Sequence, residues 1–277
     1  MRIAMISDVF FDDAAEDRLG TYLQRSKADG ASLAVLPEIP LNAWSPATKN
    51  VIESDAEEPD GPRVAMMSRV ARESGVGLVG GVIMRDPDDG KRYNTAMVFD
   101  SSGGLVGTHR KQHLPDEPEF WETYHYEPCE RPIGVIDVEG VRVGVQICSD
   151  INRPMGSHAQ AALGAQVIIN PRSTELASYE KWKHVFLASP WTTRTFLVSV
   201  NRPRAEQGVL IGGPSIAVAP TMDVLCETTD ACTVVELDFS LLESMRSRYP
   251  GYLPVRSDLY ADAWGRAESV PGGCVPG

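Results

Sequence analysis

The chain lacks any apolar stretch approaching the roughly 20 residues that cross a bilayer, so a transmembrane helix is excluded. Its first residues, Met1-Arg-Ile-Ala-Met-Ile-Ser-Asp8, run straight into a strand pattern. They show neither the apolar core nor the small-residue cleavage site of a secretory signal. Cysteine is scarce and unpaired in pattern: five residues, irregularly spaced, with no Cys-x-x-Cys. That excludes a disulfide framework and fits a reducing compartment, so a cytoplasmic location is expected. Positive charge is in deficit, with 26 Lys and Arg against 38 Asp and Glu, a net charge of −12. Such a surface repels phosphate backbones. The one basic cluster, His109-Arg-Lys-Gln-His113, is too short to bind nucleic acid. No His, Cys and Asp set has metal-ligand spacing, so no metal is expected.

What is present is one body of sequence. At 277 residues and 43% hydrophobic content, the chain suits a single large α/β domain. No internal repeat, low-complexity block or linker interrupts it. Strand patterns at Arg2–Val9, Ser32–Pro37, Gly77–Met84, Asn94–Phe99 and Leu105–His109 alternate with helical patterns at Ala14–Asp29 and Pro62–Ser74. The second half reads likewise. Strands are predicted at Pro132–Val138, Val141–Ile147, Gln166–Asn170, Phe196–Asn201, Ile216–Pro220 and Thr233–Asp238. Helices are predicted at Pro154–Leu163, Ser178–Ala188 and Phe239–Arg246. Asp100-Ser-Ser-Gly-Gly104 and Glu139-Gly140 read as hairpin turns, so the sheets are mixed. Residues 1–260 form the domain. Residues 261–277, rich in Gly and Pro, read as an extended tail or oligomer arm.

Three reactive side chains each stand just past a strand pattern. Glu38 ends Leu33-Ala-Val-Leu-Pro-Glu38, Lys111 follows Leu105-Val-Gly-Thr-His-Arg-Lys111, and Cys148 ends Gly140-Val-Arg-Val-Gly-Val-Gln-Ile-Cys148. A thiol needs a base or a positive neighbour to ionise near neutrality. A partly desolvated Glu38 would take its proton. Lys111 would stabilise an oxyanion, with the N–H of Ser149 as second donor. The chemistry is acyl transfer through a thioester. Taken singly, each residue has a plainer reading: a core cysteine, a loop carboxylate, a surface lysine.

The segment His109-Arg-Lys-Gln-His-Leu-Pro-Asp-Glu-Pro-Glu-Phe-Trp-Glu-Thr-Tyr-His-Tyr-Glu-Pro-Cys129 resembles the lysine loop of the nitrilase (carbon–nitrogen hydrolase) superfamily, most of all its N-carbamoylputrescine amidase and N-carbamoyl amidase branch. Leu36-Pro-Glu38 resembles the glutamate motif, and Gly144-Val-Gln-Ile-Cys-Ser-Asp150 the cysteine elbow. Trp182-Lys183, Ser199-Val-Asn-Arg202, Gly213-Pro-Ser215 and Asp258-Leu-Tyr260 continue the similarity in order. The resemblance implies a four-layer α-β-β-α sandwich with two mixed β-sheets, no cofactor, and a homodimer or higher homo-oligomer. It makes Glu38 the base, Lys111 the oxyanion-side lysine, Cys148 the nucleophile, and Glu122 a second glutamate against the lysine. The pattern departs at Ser149, Arg153, Met155, Ala43-Trp44 and Pro128-Cys129. None of these touches the catalytic set, but all bear on the substrate.

Ser149, Arg153, Arg172 and Trp44 are the candidate substrate-binding residues. The two arginines are placed at strand ends, in loops at the pocket mouth, where a guanidinium fork suits an anionic group. His113 and His125 read as structural or pocket-lining. The reading is a cofactor-free hydrolase of an N-carbamoyl compound or small carboxamide, an amide or ureido substrate, releasing ammonia. The alternatives are a nitrilase and a non-catalytic binding protein on the same scaffold.

Overall fold

A computed structural model describes residues 1–266. From the N-terminus the chain forms β1 (Arg2–Ile6), α1 (Ala15–Ala28), β2 (Leu33–Val35), β3 (Ala56–Glu57), α2 (Pro62–Ser74), β4 (Gly77–Arg85), β5 (Arg92–Phe99) and β6 (Leu105–Arg110). A small hairpin, β7 (Asp116–Glu117) and β8 (Phe120–Trp121), leads into the single turn α3 (Glu122–His125). The second half holds β9 (Ile136–Val138), β10 (Val141–Val145), α4 (Pro154–Ala162), β11 (Val167–Arg172), α5 (Tyr179–Thr193) and β12 (Phe196–Asn201). It closes with β13 (Ser215–Val218), β14 (Val224–Thr228), β15 (Cys232–Glu236), α6 (Ser240–Arg246) and α7 (Ser257–Arg266).

Two mixed sheets result. The first runs β15-β1-β2-β4-β5-β6, with β3 also pairing β4; the second runs β14-β13-β12-β11-β10-β9. Side chains alternate between faces along each strand, which sorts the apolar residues into layers. Ile3, Met5, Val79 and Val98 meet Val143, Val145, Val167 and Ile169 between the sheets. Ala4, Ile6, Leu78 and Val82 face outward onto Leu19 and Leu23 of α1 and Met67 and Val70 of α2. Ile168, Leu197 and Ile216 face Tyr179 and Phe186 of α5 on the other side. Strands buried on both faces read as unbroken apolar runs, and the architecture is the expected α-β-β-α.

Local chemistry sets the boundaries. Pro62 occupies the first turn of α2, and Gly75 closes it in the left-handed region at φ 64°, the arrangement those residues favour. In the β5–β6 turn, Asp100 Oδ1 accepts from the N–H groups of Ser102 and Gly104.

Four expectations change. Only Ile136–Val138 of the Pro132–Val138 run pairs; Pro132 has no N–H to donate, and β9 is an edge strand. Helix α5 continues past Ala188, through Pro190, to Thr193. Strand β14 was not expected, because Val224-Leu-Cys-Glu-Thr228 is a half-exposed edge without a clean alternation. Ala261–Arg266 is helical, the end of α7, rather than extended. Leu259 and Ala263, and Tyr260 and Trp264, recur at helical spacing ahead of the Gly and Pro residues. The rest of the tail lies outside the described residues.

Candidate active site

Glu38 follows the end of β2, Lys111 the end of β6, and Cys148 the end of β10. β2 lies between parallel neighbours, and β10 runs parallel to β11, so two of the three lie past carboxyl ends of parallel strands, where ligands bind in such sheets. Glu122 enters from outside the sheets. The β7–β8 hairpin turns the chain back, and the N–H of Glu122 donates to Pro115 O at 3.1 Å.

The side chains meet in the interior. Lys111 Nζ donates to Glu38 Oε1 at 2.8 Å and to Glu122 Oε1 and Oε2 at 2.6 and 2.7 Å. Lys111, Glu38 and Glu122 are each 1% exposed or less, and Cys148 is 4% exposed. Burial alone pulls the Lys111 ammonium down, but Glu122 and Glu38 outweigh it and hold it well above its ordinary range. Burial pushes the Glu122 carboxyl up to about 8 against the pull of Lys111. Burial, then the Glu38 charge, pushes the Cys148 thiol up. Glu38 Oε1 also accepts from Asn94 Nδ2 at 2.8 Å, whereas its Oε2 is buried without a partner. That free oxygen can receive a proton.

Both strand-end loops are strained at the reactive positions. Cys148 has φ 46° and Ile39, next to Glu38, has φ 35°. Non-glycine residues rarely adopt this region, and a β-branched one least of all. Their surroundings hold them there. Cys148 opens a 3₁₀ helix, Cys148–Asn152, whose first N–H groups, Ser149 among them, point out of its N-terminus. Arg202, fully buried, braces the loop after Glu38. It donates to Glu38 O at 3.2 Å, Ile39 O at 2.7 Å and Asn42 O at 2.6 Å, and pairs with Glu206 at 2.5 Å.

Asp150 joins the elbow to the lysine loop. Its carboxylate accepts from His109 Nε2 at 3.1 Å, His113 Nδ1 at 2.9 Å, and the N–H groups of Gln112, His113 and Ile147. Burial opposes ionisation, yet the histidine hydrogen bonds hold this carboxyl well below its usual range. Asn94, Asp150 and Arg202 were not singled out from sequence. The available signal was a polar residue placed in or directly after a buried apolar run.

The four catalytic candidates therefore come together, while the substrate-binding candidates scatter. Trp44 is fully buried, donating from its backbone N to Glu206 and from Nε1 to Glu119 O, with its ring edge-on to Phe120. It is core, because a large ring beside Ile39 and Ile83 finds its area there. Ser149 spends its hydroxyl on His113 O at 2.5 Å. Arg172 is not at a mouth. It is fully buried, and Ser199 Oγ, Thr174 Oγ1 and Pro214 O take its donors. Arg153 is exposed, at the C-terminal cap of the helix that Cys148 opens. His125 Nε2 donates to Thr48 O at 2.7 Å, as a structural residue. Among the described residues no group of three His, Cys, Asp or Glu side chains has the arrangement of a metal site, and no helix is long and apolar enough to cross a membrane. An open cavity between β6 and β9, lined by Arg110, Gln112, Arg131 and Gln160, contains none of the four.

Residues 15–247 match the family model described as carbon-nitrogen hydrolase. The chain is 30% identical over 253 residues to a chloroplastic omega-amidase of Arabidopsis thaliana, covering 86% of this chain and 67% of that one. It is 24% identical over 280 residues to the N-carbamoylputrescine amidase of the same plant, covering 94% and 92%. Its fold resembles the carbon-nitrogen hydrolase from Helicobacter pylori G27, with a TM-score of 0.84 at 20% identity over 97% of this chain and 99% of that one.

Proposed function

Because the chain belongs to the carbon-nitrogen hydrolase family, we propose that it hydrolyses the carbon–nitrogen bond of a small linear carboxamide or N-carbamoyl compound, with Cys148 as nucleophile. One observation carries the reading: a buried lysine held between two carboxylates, one of which keeps an unpartnered oxygen.

The roles follow from that arrangement. Glu38 Oε2 takes the thiol proton, and the sulfur attacks the carbonyl carbon. The oxyanion is met by the Ser149 N–H and by Lys111. Lys111 exchanges one of its two contacts with Glu122 for the oxyanion and keeps the other. Removing one such donor costs about 100- to 1000-fold in rate. Glu38 then gives its proton to the departing nitrogen, leaving an acyl thioester. It next takes a proton from water, which attacks the thioester and frees the acid and the thiol. The omega-amidase and N-carbamoylputrescine amidase names of the relatives support an amide or ureido substrate.

The test is ammonia release from a panel of ω-amides, N-carbamoyl amines, N-carbamoyl amino acids and nitriles, with Cys148→Ala as control. Release from amides or carbamoyl compounds that vanishes in Cys148→Ala is expected. Release from nitriles alone, or release that survives in the variant, overturns the reading.

A further inference from the structure

Among the described residues, Arg172 is a buried cation without a counter-ion. It ends β11 and is fully buried between that strand and α5, its guanidinium carbon 5.1 Å from the Phe186 ring and 5.7 Å from the Tyr179 ring. Every acceptor it finds is neutral: Ser199 Oγ, Thr174 Oγ1 and Pro214 O. No carboxylate pairs with it among the described residues, although buried charges are ordinarily paired. Burial draws its pKa down to about 10, while Cys148 and Tyr179 pull the other way.

A chain of hydrogen bonds leads from it to the cysteine. Arg172 Nε donates to Ser199 Oγ at 2.9 Å, Ser199 Oγ donates to Asn170 Oδ1 at 2.8 Å, and Asn170 Nδ2 donates to Cys148 O at 3.3 Å. The next residue, Ser173, turns its backbone N–H toward the Cys148 thiol. The end of β11 thus wraps the cysteine elbow with its own positive charge.

We propose that Arg172 is a positioning residue whose buried, unpaired guanidinium is the counter-charge of the Cys148 thiolate. The proposal rests on the reading of Cys148 as nucleophile. When the S–H bond breaks and Glu38 Oε2 gains the proton, negative charge leaves Glu38. It thereby leaves the carboxylate that Lys111 and Asn94 already serve. The charge moves to a sulfur that has neither partner. A cation with no carboxylate of its own offsets that displacement from the opposite side. Lys111 lowers the thiol from one side while staying bound to Glu122, and Arg172 adds a second positive charge from the other.

The experiment is the pH dependence of iodoacetamide alkylation at Cys148 in the full chain, read by peptide mass spectrometry. In the unsubstituted protein Cys148 is expected to alkylate faster than Cys129, Cys226 and Cys232. If it does not, the nucleophile reading fails and this proposal with it. Arg172→Gln and Arg172→Met remove the charge, and the aromatic walls can accept the Met. In whichever folds, the midpoint of alkylation is expected to rise by about one pH unit, the scale of a unit charge at buried distances. Arg172→Lys is expected to return most of that shift. A folded neutral variant with an unmoved midpoint overturns the proposal while leaving the nucleophile intact. Failure of both neutral variants to fold makes Arg172 a strut for the end of β11, and overturns the proposal equally.

Discussion

Asp150, two residues beyond Cys148, accepts from both the backbone N–H and the Nδ1 of His113, two residues beyond Lys111, each at 2.9 Å. One fully buried carboxylate therefore ties the Cys148 loop to the Lys111 loop. Neither residue hydrogen-bonds any of the four reactive side chains. Their effect is on register between the two sheets, since β6 belongs to the first and β10 to the second.

Replacing Asp150 by Ala should lower activity about 100-fold, the scale of an ångström-sized displacement at a reacting centre. The Glu38–Lys111 pair would remain. Steady-state rates of Asp150→Ala on the substrate found in the ammonia panel check this. Activity near the unsubstituted level would show that the clip is dispensable.

The same carboxylate predicts acid behaviour. Its folded pKa lies below the ordinary 3.8 because the histidines outweigh burial. A depressed carboxylate contributes stability that is full above the unfolded value and is lost as pH falls through the folded one. Melting temperature should therefore fall more steeply below about pH 4 in the unsubstituted protein than in Asp150→Asn. Parallel melting curves between pH 2 and 6 would contradict it.

Lys111→Met leaves Glu38 and Glu122 facing each other in the interior. Breaking a buried pair on one side costs about 3–5 kcal/mol. Both stability, by urea unfolding, and ammonia release should collapse. In Lys111→Met/Glu122→Gln, with one carboxylate removed, much of the stability should return and the activity should not. Return of activity would mean that Lys111 has no role in chemistry.

Glu122 gives the opposite pH signature to Asp150. Its carboxyl is raised from 4.5 to about 8, chiefly by burial. A raised carboxyl contributes stability that is full below the unfolded value and is lost as pH rises through the folded one. Stability should decline from about pH 5 to pH 8, and Glu122→Gln should flatten that decline. Thermal melts of the two proteins across this window decide it; equal slopes would refute the assignment.

Arg202→Met removes the brace on the loop that holds Ile39 at positive φ and carries Glu38. It also strands Glu206, whose Oε2 accepts from Arg202 and from the Trp44 N–H. A loss of about 3 kcal/mol in stability and a fall in kcat larger than the change in KM are expected from chemical unfolding and steady-state kinetics.

That Glu38, Lys111 and Cys148 meet was legible because each stands directly after a recognisable strand pattern, and strand ends are where a layered α/β fold gathers side chains from different strands. Glu122 was legible only through the resemblance, since its approach to Lys111 depends on the β7–β8 hairpin, too short to show a period. The residues that hold the set in place were not legible. Asn94 and Arg202 act across more than 50 residues of sequence, and nothing local distinguishes a bracing arginine from a solvated one. Trp44 and Arg172 were misplaced for the converse reason. Departure from a motif marks a difference in sequence, and only packing says whether it faces substrate or core. Most helix and strand interiors followed from periodicity. Among the misses, β14 and the start of β9 are edge strands whose burial pattern is mixed, and β3, β7 and β8 are two residues each, too short to show a period.

The most direct test of the account is covalent. The full chain, mixed with the best substrate of the ammonia panel and quenched in acid within the first turnovers, is digested and analysed by mass spectrometry. The account predicts the acyl mass of the substrate on the peptide containing Cys148, and no adduct in Cys148→Ala. Steady turnover with an unmodified Cys148 peptide, or an adduct at another cysteine, would contradict it.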